Sequence, residues 1–207
     1  MRIASLILLG LVLAVASASG QVLYENGPLN GTVDAWTINY GYFVSDTFTL
    51  TGNATVGGFD FYTWTFPGDK PLTVDWSITS GADGGTLYGS GIANLLDSFI
   101  STNQYGYDIH KDTVSGLNVG LNAGTYWLNL QNATTSQGNP LYWDENSGIG
   151  CHSPGCPSQA TTIEPIPSES FDMTGTSRSE GTPEPGSIML FGSGVVGVGG
   201  LFRRRLF

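Results

Sequence analysis

The chain of 207 residues has few charged side chains, very few basic ones and only two cysteines. Charged residues and aromatic residues each make up 12% of it. This aromatic content excludes intrinsic disorder for most of the chain, because aromatic side chains supply the apolar surface that a folded core needs. The shortage of charge and the 30 glycines disfavour long surface helices and favour strands that are joined by turns.

Basic residues are nearly absent from the middle of the chain. Between Ser19 and Thr182 only Lys70, Lys111 and Arg178 are basic, against sixteen acidic residues. A surface this negative repels the phosphates of nucleic acids and of anionic lipids, so nucleic acid is excluded as a partner. The simplest role for the charge is to keep the protein soluble.

The N-terminus has the three parts of a secretory signal peptide. Arg2 supplies a weak positive region, residues 3–15 are apolar, and Ala16-Ser17-Ala18 is a cleavage pattern of small residues. Residues 1–18 are therefore predicted to form a removable signal helix, with cleavage after Ala18 or Gly20. A first transmembrane helix is the weaker alternative, because the apolar run is too short to span a bilayer.

The C-terminus combines a rigid peptide, an apolar run and a basic cluster. Pro183-Glu184-Pro185 cannot be helical, because proline restricts the backbone at and before its own position. Residues 187–202 carry no charge, and Arg203, Arg204 and Arg205 follow them. We predict a transmembrane helix over residues 187–202 with the arginines on the cytoplasmic side. Several glycines weaken this helix as a permanent anchor.

These three parts resemble the PEP-CTERM sorting tag of Gram-negative bacteria, over residues 183–207. The resemblance implies recognition by an exosortase, a membrane-embedded enzyme similar to a cysteine transpeptidase, with cleavage near the motif. It also implies a protein that is tethered to the inner membrane before processing and is then delivered to the cell surface or the exopolysaccharide matrix. A plain C-terminal anchor is the alternative that the sequence leaves open.

The two cysteines lie close together in the chain, as Cys151 and Cys156. An even number of cysteines in an exported protein indicates a disulfide, and the Pro154-Gly155 turn can bring the two side chains together. We therefore predict a Cys151–Cys156 disulfide, which closes too short a loop to stabilise the fold much. Metal ligation with His152 is the weaker alternative, because structural zinc sites usually show four clear ligands.

The middle of the chain alternates apolar and polar residues, which is typical of half-buried antiparallel strands. In residues 72–78 four apolar side chains share one face, and residues 48–50, 117–121 and 126–130 alternate in the same way. Residues 59–66 are aromatic on both faces, as a central strand would be. Turn signals separate these runs, so we predict an all-β fold with a single antiparallel β-sandwich of the jelly-roll kind.

The predicted β-sandwich domain spans residues 22–173, with residues 169–173 as its closing strand. Residues 92–99 are expected to contain its one helical turn. Residues 174–182 are rich in Gly, Ser and Thr and are predicted to be a linker. The stretch from Asn122 to Leu130 resembles a strand of bacterial pre-peptidase C-terminal and related jelly-roll modules, which supports the fold and implies little about a ligand.

The sequence shows no catalytic site. The hydrolase signature Gly-x-Ser-x-Gly is absent, and His110 and His152 are the two histidines. We therefore expect a protein that is not an enzyme, with no cofactor and no assigned metal ligand. Calcium is kept as an alternative, because Asp83-Gly84-Gly85 and Asp144-Glu145-Asn146 place acidic side chains in loops.

Five tryptophans are many for a chain of this size, and exposed aromatic rings can stack on sugars. Trp64 and Trp127 lie opposite the core positions of their strands, so we expect them to be exposed and predict them as ligand-contacting residues. Packing against another strand or under a loop is the alternative.

The leading hypothesis is a non-catalytic structural or adhesive protein that is exported to the cell surface or the extracellular matrix. The first alternative is a carbohydrate-binding module, with exopolysaccharide as its expected partner and with or without calcium. The second alternative is a hydrolase without a recognisable signature.

Overall fold

The computed structural model describes residues 20–146, 158–160 and 164–178. These residues form thirteen strands and no helix, in agreement with the predicted all-β class. The strands are β1 Gln21–Glu25, β2 Ala35–Thr37, β3 Phe43–Leu50, β4 Ala54–Thr65, β5 Pro71–Gly81, β6 Gly84–Asn94, β7 Leu96–Thr102, β8 Asp108–Leu121, β9 Gly124–Thr135, β10 Tyr142–Asp144, β11 Ser158–Ala160, β12 Glu164–Ile166 and β13 Phe171–Ser177.

The two predicted helices, residues 1–18 and 187–202, lie outside the described residues. Within the described part of the chain, no helix has the length and apolar character needed to cross a membrane.

The first sheet is built around the long strand β4. Strand β8 pairs with one edge of β4 along its whole length, and β7 pairs with β8. Two strands share the other edge of β4, where β13 pairs with residues 54–61 and β10 pairs with residues 63–64. Strand β1 extends the sheet beyond β13, and β2 extends it beyond β10. Strand β4 is therefore central, as its aromatic residues on both faces predicted.

The second sheet has the strand order β12-β11-β3-β9-β5-β6, and all its pairings are antiparallel. The alternation in the sequence defines its inner face, since Val74, Trp76 and Ile78 of β5 are all buried. Leu72 was expected on the same face but is exposed. The register of β5 against β9 shifts at this residue, and the shift turns its side chain outward.

The two sheets pack face to face around an aromatic core, as in a β-sandwich. Phe59 of β4 meets Trp76 of β5 with ring centroids 6.5 Å apart, and Tyr24 of β1 meets Phe48 of β3 at 6.3 Å. Each pair joins one sheet to the other. The buried apolar residues of both sheets form one contiguous cluster, so a single core holds the described residues together.

Two details of the predicted fold are wrong, the helical turn at residues 92–99 and the start of the linker at residue 174. Residues 92–99 form the end of β6 and the start of β7 instead of a helical turn, because their backbone pairs with β5 and β8. Strand β13 continues to Ser177, into the predicted 174–182 linker, because its last residues pair with the start of β4. In both places, pairing with a distant strand overrides the local composition.

Strands β6 and β7 are each an edge strand of one sheet. Within the described residues, β6 pairs with β5 alone and β7 pairs with β8 alone. Both edges carry exposed apolar side chains, of which Ile92 and Leu96 are 77% and 73% exposed. Side chains in this position contribute little to the core.

Replacing Ile78 with alanine should lower the free energy of unfolding by about 2–5 kcal/mol, because the change leaves a cavity between the sheets. The matched control is Ile92→Ala, which removes the same atoms from the exposed edge and should change stability by less than about 0.5 kcal/mol. Urea denaturation of the two variants measures the difference. Equal destabilisation would contradict the assignment of the inner face of β5.

Candidate functional site

The structure separates the two tryptophans that were predicted to contact a ligand. Trp64 lies on β4 of the first sheet, and Trp127 lies on β9 of the second. Trp64 is only 6% exposed, so its predicted exposure is wrong; it packs under the loop that carries Tyr105 and Tyr107. Trp127 is half-buried. A ligand contact by either residue stays a prediction.

The predicted sorting and disulfide residues lie outside the described residues. They are the sorting motif Pro183, Glu184 and Pro185, the basic cluster Arg203, Arg204 and Arg205, and the cysteines Cys151 and Cys156 of the predicted disulfide.

Four aromatic side chains line a pocket of about 380 Å³ at the end of β4. We call it the aromatic pocket, and its lining consists of Val33, Asp34, Ala35, Trp64, Tyr105, Tyr107 and Tyr142. Tyr105 stacks on Trp64, with centroids 6.1 Å apart and an angle of 26° between the rings. Tyr107 meets Tyr142 edge-on at 5.8 Å. The pocket thus combines flat apolar walls with one carboxyl group at its rim.

The loop between β7 and β8 is held in place by Asn103. Its side-chain oxygen accepts the backbone N–H groups of Tyr105 and Tyr107, both at 3.0 Å. Its amide nitrogen donates to the carbonyl of Gly31 at 3.1 Å, and the Tyr105 hydroxyl donates to the carbonyl of Thr32 at 3.0 Å. These bonds tie two loops together, so the pocket is formed before any ligand arrives.

The tyrosines of this pocket were not predicted from the sequence, because the predicted ligand-contacting residues were limited to tryptophans on strands. The available signal was Tyr105-Gly106-Tyr107, two aromatic residues on either side of a glycine in a polar segment. Gly106 has a φ of 84°, which glycine adopts readily. The tight turn places both tyrosines on the pocket wall.

Asp144 connects the aromatic pocket to a group of buried acids. Its Oδ1 accepts the indole N–H of Trp64 at 2.6 Å and the backbone N–H of Gly31 at 2.8 Å, and its Oδ2 accepts the backbone N–H of Asn30 at 2.9 Å. Burial raises the pKa of Asp144 to about 6, although these hydrogen bonds oppose the shift. One carboxyl group therefore positions both a wall of the pocket and the loop beside it.

Five neighbouring carboxyl groups form what we call the acidic cluster: Asp34, which also lines the pocket, and Asp46, Asp144, Glu145 and Glu169. Burial raises the pKa of Asp46 to about 7. Burial also raises the pKa of Glu169 well above its ordinary value, and the neighbouring carboxylates raise it further. The ion pairs found in the described part of the chain join His110 to Asp97 and Lys111 to Asp60, and neither acid belongs to the cluster. Within the described residues, therefore, no basic side chain forms an ion pair with the cluster.

Asp46 is fully hydrogen-bonded despite its burial. Its Oδ1 accepts the N–H of Thr47 at 2.6 Å, and its Oδ2 accepts the N–H of Glu169 at 2.6 Å. The amide of Asn26 and the hydroxyl of Ser168 also donate to Oδ2, both at 2.9 Å. Asp46 thereby anchors the segment that leads into β13.

The two loops considered for calcium have different surroundings. Asp83 is exposed in the turn between β5 and β6, with a φ of 43°, whereas Asp144-Glu145-Asn146 is buried in the acidic cluster. Among the described residues, no group of three or more Asp, Glu, His or Cys side chains is arranged to hold a metal ion. A cation at the cluster would also need neutral oxygen ligands.

A chain of hydrogen bonds joins Thr65, His110 and Asp97 next to the core. The Nε2 atom of His110 lies 3.0 Å from the hydroxyl of Thr65, and its Nδ1 lies 2.5 Å from Asp97 Oδ1. The connectivity is that of a Ser-His-Asp triad. Thr65 is completely buried, however, so its hydroxyl is closed to a substrate. The bonds satisfy interior polar groups and do not present a nucleophile.

The comparison with known protein families found a match in the C-terminal part of the chain. Residues 182–205 match the PEP-CTERM protein-sorting motif, which confirms the resemblance of the tail. The chain therefore carries a sorting tag, and the motif implies export and processing by exosortase. No curated protein matches the chain.

Asp112 should make the protein less stable as the pH rises. Its Oδ2 accepts the hydroxyl of Thr63 at 2.6 Å, and its Oδ1 has no hydrogen-bond partner within the described residues. Burial raises the pKa of this carboxyl to about 8, and the charge of Asp97 raises it further. An unfolded aspartate ionises near pH ~4, so the folded carboxyl keeps a proton that the unfolded chain has lost. Stability is therefore greatest below pH ~4 for this group and falls until pH ~8.

Thermal unfolding at about pH 5 and about pH 8 measures this loss. The Asp112→Asn variant cannot ionise and should lose part of the decrease in Tm between the two values. The buried acids of the acidic cluster contribute a decrease of the same sign and remain. Asp83→Asn changes an exposed acid and should keep the full decrease. An unchanged pH dependence in Asp112→Asn would contradict a buried, protonated Asp112.

Proposed function

We propose that exosortase delivers this protein from the inner membrane to the cell surface or the extracellular matrix, where its β-sandwich has a structural or adhesive role. The match of residues 182–205 to the sorting motif carries the proposal. The tail has the order that such processing needs: the Pro183-Glu184-Pro185 motif, the apolar run of residues 187–202 and the basic cluster Arg203–Arg205.

The strand order supports a rigid body of the jelly-roll kind. Strands β1-β13-β4-β8 lie in one sheet and β3-β9-β5-β6 in the other, so most successive long strands lie in opposite sheets. Two Greek keys folded together produce this order in a jelly roll. A body of this kind holds its loops at the ends of the sandwich, where they can face a partner.

A non-catalytic role is supported by the burial of the one triad-like arrangement described above. Thr65 and His110 are 0% and 2% exposed, and a nucleophile must reach its substrate to react. The acidic composition supports the expectation that nucleic acid is not a partner. Matrix polysaccharides and surface proteins are the partners that remain for an exported protein.

Carbohydrate binding is the second candidate function, and the aromatic pocket favours it. Tyr105, Tyr107 and Tyr142 offer flat rings of the kind that stack on sugar faces. Asp34 at the rim can accept hydrogen bonds from sugar hydroxyls. The bonds of Asn103 hold the pocket open, which lowers the cost of ordering on binding.

Changing Pro183-Glu184-Pro185 to Ala-Ala-Ala should leave the protein full length in the inner membrane, because the motif that we expect exosortase to recognise is lost. The matched control changes Ser179-Glu180-Gly181, just outside the motif, to Ala-Ala-Ala and should be processed normally. Fractionation of the native host with mass spectrometry of the mature C-terminus measures both. Normal processing and release of the first variant would sink the sorting proposal.

The Tyr105→Ala variant should weaken binding to exopolysaccharide from the host about tenfold or more, because one stacking wall of the pocket is removed. Tyr42→Ala is the matched control, since Tyr42 is exposed and outside the pocket. Glycan-array and affinity measurements compare them. Equal binding by both variants argues against the pocket, and loss of binding in Trp127→Ala would move the site to the second sheet.

The same glycan assays test the absence of catalysis. Release of new reducing ends, or cleavage of an ester or peptide by the purified protein, would contradict the non-catalytic role. A non-catalytic protein should instead bind the glycan and leave its length unchanged.

A further inference from the structure

The carboxyl group of Glu169 lies in the interior of the described fold. It is completely buried, and neither carboxyl oxygen has a hydrogen-bond partner within the described residues. Leaving such a group unsatisfied is costly, since even a neutral carboxyl loses the bonds it makes to water. Its neighbours in space are the other members of the acidic cluster, with Asp46 and Glu145 foremost. The carboxyl group therefore points to a ligand that the protein chain does not supply.

Glu145 lies directly opposite Glu169. The two residues form an isolated antiparallel bridge, with one backbone hydrogen bond on each side of it, of 2.8 and 2.9 Å. This pattern defines a non-hydrogen-bonded pair, in which facing side chains approach most closely and like charges destabilise. Glu145 is also buried and accepts one bond from the indole of Trp36 at 3.2 Å. Two carboxyl groups thus share one interior face.

Oxygen atoms crowd the side-chain amides of Asn26 and Asn146, which contact the backbone of Glu169. The amide nitrogen of Asn26 lies 2.9 Å from Asp46 Oδ2, 2.7 Å from the hydroxyl of Ser168 and 2.7 Å from the carbonyl of Glu169. That nitrogen carries two hydrogens and cannot donate to all three. The amide of Asn146 lies 2.8 Å from the same Glu169 carbonyl and also contacts the carbonyl of Asn26. The surroundings are rich in oxygen and poor in positive charge.

We propose that Glu169 and Glu145 are ligands of a calcium ion that lies between the residues after β10 and the start of β13. Calcium takes about 6–8 oxygen ligands and accepts carboxylates, amide and backbone carbonyls and water together. The side-chain oxygen of Asn26, which also accepts the hydroxyl of Tyr24 at 2.5 Å, and water molecules supply neutral oxygens for the remaining positions. Two carboxylates balance the charge of the ion, and neutral ligands are required because the described acids are not arranged to hold a metal by themselves.

The oxygen-only donor set selects calcium over other divalent ions. Zinc prefers nitrogen and sulfur ligands, and the described histidine, His110, is bonded to Thr65 and Asp97 elsewhere. Magnesium requires a small octahedral shell and keeps several waters, which suits a fully buried carboxyl group poorly. The ion would join segments that follow β1 and β10 and precede β13, so it would stabilise the fold.

The full chain, purified in detergent and stripped with EDTA, tests the proposal by calorimetric titration with calcium chloride. One calcium ion per chain is expected, with a rise in Tm of about 5–10 °C at saturation. Magnesium at the same concentration should raise Tm far less. The Glu169→Gln and Glu145→Gln variants should each lose most of the calcium-dependent rise.

The Glu169→Gln variant also separates a metal ligand from a residue that only packs. Without calcium its Tm should equal or exceed that of the wild type, because glutamine is neutral without the proton that the buried carboxyl of Glu169 takes up on folding; with calcium the order should reverse. Asp83→Asn, at the other loop considered for calcium, should keep the full response. A wild type that binds no calcium, or a response that survives in both glutamine variants, overturns the proposal. Tyr105→Ala leaves this site intact, so a failure of glycan binding is a separate result.

Discussion

The packing of two antiparallel sheets through their apolar faces is the interaction on which the rest of this structure depends. Strand β4 is paired on both edges and faces β5 across the core, where Phe59 meets Trp76. Since a sandwich interior excludes water, polar groups enter it only with partners. Most of the buried polar residues follow this rule, as Asp46 does with its four donors. Among the described residues the exceptions are Glu169 and Asp112, where we propose a bound ion and a bound proton, respectively.

The aromatic pocket and the acidic cluster are parts of one polar end of the sandwich. Asp144 belongs to the cluster, yet it also accepts the indole N–H of Trp64 and the N–H groups of the loop beside the pocket. A change in charge at the cluster would therefore reach the pocket through Asp144 and through Asp34, which belongs to both. The cluster that contains the proposed calcium ligands is therefore in contact with the pocket that we propose for a glycan, although different variants test the two sites.

The features that repeat locally could be predicted from the sequence, and those formed by distant segments could not. Period-2 alternation indicated the strands and their inner faces, because each neighbour along a strand points to the opposite side. The burial of Trp64 depends on a loop forty residues further along the chain, and the Glu145–Glu169 pair depends on a bridge between two separate segments. The end of β13 was missed because Gly, Ser and Thr suggest a linker, whereas pairing with β4 makes them a strand.

The first and last strands of the body lie side by side, with Gln21 opposite Gly175. Residues 20 and 178, which adjoin the predicted signal peptide and the segment before the sorting tag, therefore lie at the same end of the sandwich. If the processed protein is attached through its C-terminal side, a pulling force would enter the body at Ser177. Because β13 is bonded to β1 on one side and to β4 on the other, the force would act on two ladders of hydrogen bonds at the same time.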